Sequence, residues 1–310
     1  MAAQTDPLGD PQATGGAQAQ PGATARAIQQ HYDLSNDFYA LWLDPGMVYS
    51  GAKWAEGDDL ERAQVRKLDH HVRESGARGK RRVLDIGCGW GTMLEHLTER
   101  NDVQQAVGLT LSQAQHDYIA TRRLSRAEAR VESWADHQPD EPYDAIISIG
   151  AFEHFARLDM DEQQKVQAYA AFFRKCWHLL GRDGRMSLQT FAYGSGRPRQ
   201  QAIDDPSTRF LAAEIFQETD PPTLANIADA AVGTFEVVAL ENDRTGYART
   251  CKEWSERLRK TREQAIAIVG EEAYERYQRY LNYAFVGFHT GNLDLYRITL
   301  QRTRRLRAEG

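Results

Sequence analysis

The run Val83-Leu84-Asp85-Ile86-Gly87-Cys88-Gly89-Trp90-Gly91-Thr92 decides the fold of this chain. It reads as an apolar strand ending near an acid, then three glycines at alternate positions, then the start of a helix. Glycine there lets the backbone turn sharply and lets a ligand approach the main chain closely. A dinucleotide loop needs G-x-G-x-x-G, and the place of its third glycine holds Thr92. A phosphate-cradling loop runs on into G-K-[ST], and none follows. The spacing D-x-G-x-G-x-G points to a nucleoside ligand with no phosphate to hold.

Composition bounds the rest. The chain has 310 residues, 41% hydrophobic and 26% charged, enough for one large α/β domain or two small ones. A net charge of -6 argues against a general nucleic-acid partner, which needs a basic face. Cys88, Cys176 and Cys251 lie far apart without metal-ligand spacing. No metal is expected, and a reduced, cytoplasmic setting is. No apolar run approaches the ~20 residues of a membrane span. Residues 1–24 lack Lys, Arg and aromatic side chains. They have neither the basic start nor the apolar centre of a secretory signal and are expected to be a disordered tail. Residues 303–310 form a short basic tail.

Along the chain, Ile28, Tyr32, Phe38, Leu41 and Trp42 recur at near-helical spacing until Asp44-Pro45-Gly46, and a second helix fits Leu60–Glu74. Residues 25–75 are read as an N-terminal helical cap on one domain, 25–302. Strands then fit Arg82–Ile86, Val103–Leu109, Ala129–Glu132, Asp144–Ile149 and Arg185–Phe191, and helices fit Gly91–Arg100, Ser112–Leu124 and Gln163–Leu180. This alternation predicts a mostly parallel sheet covered on both faces, with ligands at the carboxyl ends of its strands. Residues 192–224 break the rhythm with glycines and prolines, and a lid is expected over 192–230. A strand at Thr234–Leu240, helices at Ala248–Ile268 and Glu271–Phe288, and a strand at Leu293–Leu300 bring the sheet to seven strands.

The glycine spacing is the one used for S-adenosylmethionine (SAM), and the segments around it narrow the reading. Gly108–Gln115 ends the second strand with neutral polar residues where many nucleoside folds place an acid. Ile149-Gly150-Ala151-Phe152-Glu153-His154-Phe155 puts a carboxylate and an imidazole at the sheet edge. Upstream, His31–Tyr39 leads through Asp44-Pro45 to Tyr49-Ser50-Gly51. In this order and spacing the segments resemble the cyclopropane fatty acid synthases and mycolic acid cyclopropane synthases, from about Arg26 to about Arg302. The resemblance implies a Rossmann-like class I SAM-dependent methyltransferase fold and methyl transfer to carbon, with S-adenosylhomocysteine (SAH) as product. It implies that Tyr49, Ser50, Gly87, Gly89, Thr110, Leu111, Gln115 and Ile149 line the SAM site and that Trp134 flanks the adenine. Asp85, the acid of the glycine run, is read with them.

Alkylating an isolated alkene leaves a positive charge on substrate carbon. Aromatic faces must stabilise it, at ~0.5–2 kcal/mol each, water must be excluded, and a base must take one proton. The resemblance implies a bicarbonate base held by Cys, Glu, His and Tyr. Here the Glu is Glu153 and the Tyr is Tyr247, but the Cys position is Gly51 and the His position is Gln189. Two of four positions differ, which puts bicarbonate in question. Glu153 is therefore read as the base, directly or through a water, with Tyr247 beside it. His154 is read as either catalytic or structural.

Substrate contacts are expected from Gly51, Gln189, Phe191, Arg197, Arg199, Arg209 and Tyr283. Arginine forks suit phosphate, so the expected substrate is a small anionic alkene such as an isoprenoid diphosphate, although no D-D-x-x-D cluster offers a magnesium site. Tyr280, Tyr283, Phe285 and Phe288 either wall that substrate or pack the core. Two alternatives stay open: ring formation or methylation on an unsaturated fatty acyl chain, and a SAM-binding partner protein without catalysis.

Overall fold

The computed structural model describes residues 34–306 apart from Gln217. The tail 1–24, the helical onset at Ile28 and Tyr32, the first three residues of the His31–Tyr39 motif and the end of the basic tail at 307–310 lie outside the described residues.

Seven strands form one sheet: β1 (Arg82–Ile86), β2 (Gln105–Thr110), β3 (Ala127–Val131), β4 (Tyr143–Ile149), β5 (Leu180–Tyr193), β6 (Phe235–Asn242) and β7 (Leu293–Arg302). Their order is β3-β2-β1-β4-β5-β7-β6. The first five pair in parallel, and β7 runs antiparallel between β5 and β6. Parallel neighbours need crossovers, and α3 (Thr92–Arg100), α4 (Gln113–Arg122) and α5 (Glu162–Leu179) lie between successive strands in sequence.

The apolar run of β1 is continuous because both of its faces are buried. Val83 joins a cluster with Leu68 and Val72 of α2 (Leu60–Ser75) and with Leu94 and Leu97 of α3. Leu84 and Ile86 point the other way, into a cluster with Tyr169, Phe172 and Phe173 of α5. Thus α2, read from sequence as part of a cap, covers a sheet face. A third cluster joins α1 (Asn36–Ala40) to α9 (Arg244–Lys260), α10 (Arg262–Val269) and α11 (Glu271–Thr290) through Phe38, Trp42, Trp254 and Tyr277.

Two boundaries differ from the sequence reading. The single helix expected over Ala248–Ile268 is two, because Thr261 leaves helical geometry and its Oγ1 donates to Arg257 O. The segment 192–230, expected as a lid, ends in a helix packed into the core. Its last part is α8 (Leu224–Ala231), whose Ile227, Ala230 and Ala231 are buried on the α5 side of the sheet. What remains, 194–223, carries two short helices, α6 (Arg199–Asp204) and α7 (Pro206–Glu214). Asp205 caps α7 through Ser207 N, with proline at the first position. Among the described residues no helix is long and apolar enough to cross a membrane.

Candidate active site

The glycine run turns over the carboxyl end of β1. Gly87 N and Cys88 N both donate to Leu109 O, which draws the loop over β2. Gly87 sits at φ +82° with the Cβ of Ala151 where its own Cβ would be, so only glycine fits. Gly89 is also left-handed, and open space faces it. The loop borders a cavity of about 1200 Å³ of empty space, part of it open to solvent. All ten residues assigned to the cofactor from sequence line it: Tyr49, Ser50, Asp85, Gly87, Gly89, Thr110, Leu111, Gln115, Trp134 and Ile149. Thr110 Oγ1 donates to Gln115 Oε1 at 2.7 Å, so the neutral groups at the end of β2 hold one another. Trp134 does two jobs. It lines the cavity and packs edge-on against Phe172 and at a tilt against Phe155.

A second, smaller cavity shares Tyr49, Ser50, Gly150 and His154 with the first and contains Glu153. Glu153 lies in a 3-10 turn, Phe152–Phe155, and is buried. Thr190 Oγ1 of β5 donates to its Oε2 at 3.0 Å. Burial pushes its carboxyl up to about 7, against the lowering effects of its own backbone N–H and Thr190. His154 is buried too. Burial pulls it down to about 4, so it is neutral, and its Nδ1 bonds Thr219 Oγ1 at 2.8 Å. That bond ties the turn to the far end of the 194–223 segment. The second cavity opens on a third, about 590 Å³, sharing Phe191, Phe216, Tyr247 and Tyr280 with it. Among the described residues, no charged side chain lines this third cavity.

Gly51 and Gln189 are occupied differently from a simple substrate contact. A Cβ on Gly51 would lie 2.8 Å from the ring of Tyr247 and 2.9 Å from Leu295. The tyrosine ring therefore fills the space a side chain would take. Gln189 Nε2 donates to Gly51 O at 3.2 Å, and its Oε1 accepts from Arg297 Nε at 2.8 Å. Arg297 is buried and also reaches Ala52 O and Asp243, the N-cap of the helix that carries Tyr247. Gln189 lines the second cavity with its amide already committed.

The arginines do not form an anion cradle. Arg199 is paired with Asp220 and, at 3.1 Å, with Glu162. Arg209 is exposed and pairs with Asp204 at 3.0 Å, and the half-exposed Arg197 lies 3.9 Å from Asp205. None of the three lines any of the three cavities. The expectation of a diphosphate gripped by them is overturned, because acids of the same region take up the forks. Tyr283 is also displaced. It stacks edge-on with Phe210 at 5.3 Å outside the cavity, and Tyr280, one turn earlier, faces inward.

The comparisons with known proteins agree with this layout. The family model for mycolic acid cyclopropane synthetase matches residues 20–298. The chain belongs to that family. Cyclopropane mycolic acid synthase MmaA2 of Mycobacterium tuberculosis is 38% identical over 291 residues, spanning 88% of this chain and 96% of its own. The crystal structure of mycolic acid cyclopropane synthase CmaA1 complexed with SAH and CTAB superposes with a TM-score of 0.81 at 33% identity, covering 90% of this chain and 99% of the other. As a member of the cyclopropane synthetase family, the protein has the class I methyltransferase fold and is a SAM-dependent methyltransferase. Geranyl diphosphate C-methyltransferase from Streptomyces coelicolor shares the fold at a TM-score of 0.64, but at 13% identity it carries nothing about substrate.

SAM fits the first cavity on local grounds. The open face of Gly89 admits a ligand against the main chain, Trp134 offers an aromatic wall, and the buried Asp85 carboxyl faces the cavity with no hydrogen bond among the described residues. Sequence reasoning missed Lys67, Thr190 and Phe216. A signal existed for the first. Gln64, Lys67 and His71 occupy the same helical stripe of α2 as Leu60, Leu68 and Val72, so polar groups stand where core residues belong. Thr190 and Phe216 had none, being brought to Glu153 only by folding.

Proposed function

We propose that this protein methylates a carbon–carbon double bond of an unsaturated acyl chain and closes the added carbon into a cyclopropane ring. One observation carries the substrate class: beyond Glu153 the cavity is walled by Phe191, Phe216, Tyr247, Tyr280 and Phe288 and, among the described residues, by no charged side chain. An apolar chain gains about 0.8 kcal/mol for each buried CH₂ in such a cavity, whereas a diphosphate there loses its hydration without a partner. The names of the relatives, cyclopropane mycolic acid synthases, support the same class.

Tyr49, Ser50, Asp85, Gly87, Gly89, Thr110, Leu111, Gln115, Trp134 and Ile149 would hold SAM, which supplies an electrophilic methyl group on a sulfonium. The wall shared by the first two cavities would set the double bond beside that methyl group. As the alkene forms its new bond to carbon, positive charge develops on the neighbouring substrate carbon. Tyr49, Tyr247 and Tyr280 line the second cavity, where their rings would stabilise that charge. Glu153 then accepts a proton from the added methyl, and the electron pair of that C–H bond closes the ring. A carboxyl held at about 7 by burial is half ionised near neutral pH, which matches it to this task. Thr190 fixes the orientation of its second oxygen. His154, neutral and bonded to Thr219, holds the roof over the site.

The test is an assay of SAH formation with an unsaturated phospholipid and, separately, with isopentenyl and geranyl diphosphates. Turnover with the lipid and none with the diphosphates is expected. Turnover with a diphosphate alone overturns the reading, and no SAH with any alkene favours the non-catalytic alternative.

A further inference from the structure

Lys67 is 1% exposed, on the face of α2 that packs against the sheet. An ammonium has three donors, and Ser50 Oγ at 2.7 Å is its one hydrogen-bond partner among the described residues. Among the described residues no carboxylate forms a direct ion pair with it. The oxygens of Asp44 accept from Gly46 N and Val48 N. Asp85, 2% exposed, makes no side-chain hydrogen bond among the described residues. Lys67 and Asp85 both line the cavity at the glycine loop. Burial pulls the lysine down to about 7, against the carboxylates of Asp44 and Asp85, and pushes the aspartate up to about 7, against Lys67.

Two opposite charges that face one cavity without a direct ion pair cost the fold their desolvation. A ligand carrying a carboxylate and an ammonium on one carbon relieves both, and the methionine end of SAM is such a group. We propose that Lys67 receives the α-carboxylate of the bound cofactor while Asp85 receives its α-ammonium, so that the two form a clamp for an α-amino acid. The inference rests on the reading of this cavity as the cofactor site. It gives a reason for a lysine in the core stripe of α2, where leucine or methionine would stabilise the helix packing more.

The experiment is calorimetric titration of the full chain with SAH and with its decarboxylated counterpart, S-adenosyl-3-thiopropylamine. Wild type is expected to bind SAH more tightly than the counterpart. Lys67→Met is expected to weaken SAH by about 10–100-fold and the counterpart by less than about threefold, the loss of one charged hydrogen-bonded contact. Equal losses for the two ligands, or an unchanged affinity for SAH, overturn the proposal. Should Lys67→Met fail to fold, wild type decides alone, since equal affinity for the two ligands overturns it as well. Gly89→Leu separates the two levels. If that variant binds SAH as wild type does, the placement of the cofactor is wrong, whatever Lys67 does.

Discussion

The cavity beside the glycine loop and the cavity beyond Glu153 share a wall, yet they are built from different parts of the chain in different ways. The first is made mostly by loops at the ends of β1, β2 and β4, and its shape depends on backbone: a left-handed Gly87 pressed on Ala151, two amides bound to one carbonyl, a hydroxyl bound to a glutamine. The second and third are made largely by side chains from β5, β7, α9, α11 and the 194–223 segment, among them the rings of Phe191, Tyr193, Phe216, Tyr247, Tyr280 and Phe288. A backbone-built site tolerates little change and serves one ligand. A ring-walled site changes shape with each substitution. The difference teaches that the cofactor belongs to the family and the substrate to the individual chain.

Four substitutions break or sharpen this comparison. The largest effect is expected from Glu153→Gln, which sits where the two regions meet. Turnover should fall by about 10²–10⁴, the usual worth of a general base, while the dissociation constant for SAH stays within error. The wild-type rate should climb as pH rises through about 7, where Glu153 loses its proton, and the variant should lack that limb. Stability runs the other way. The folded-state carboxyl stands at about 7 against 4.5 for the free side chain. Its contribution is complete below about 4.5 and is lost as pH rises through 7. Glu153→Gln should therefore match wild type in melting at pH 4 and exceed it at pH 8, by up to roughly 3 kcal/mol.

Asp220→Asn comes next. Asp220 is fully buried and holds Lys165 at 2.9 Å, Arg199 and the hydroxyl of Tyr193 at 2.9 Å. Losing its charge strands Lys165 without a counter-ion, and a loss of about 3–5 kcal/mol is expected in a denaturant titration. Because this cluster anchors only the 194–223 side, SAH affinity in the folded variant should be unchanged.

Gly51→Cys overfills the contact with Tyr247 and Leu295. A destabilisation of about 1–3 kcal/mol is expected, with product yield affected more than SAH binding. The smallest effect is expected from Arg209→Ala. Its exposed pair with Asp204 contributes about 0–1 kcal/mol, and no Michaelis constant should move. A rise confined to anionic substrates would restore the arginines to the site.

The same contrast explains what was legible in the sequence. β1 falls at the predicted Arg82–Ile86, and all ten cofactor-side residues gather at one cavity, because short-range patterns specify strands, glycine turns and the loops beside them. The substrate side was not legible in that way. Arg199 looks like a phosphate ligand until Asp220, 21 positions later, takes its guanidinium. Tyr280 and Tyr283 are indistinguishable by type, and only the packing of α11 against β7 and α7 turns one inward and the other toward Phe210. The break at Thr261 carries no glycine or proline to announce it.

The most direct test of the account is to follow methyl-deuterated SAM into an unsaturated phospholipid and weigh the product. The account predicts a ring-containing lipid that keeps two of the three deuteriums, as closure through Glu153 requires. Retention of all three in a methylated alkene would contradict ring closure, and label found on oxygen or nitrogen would contradict the account as a whole.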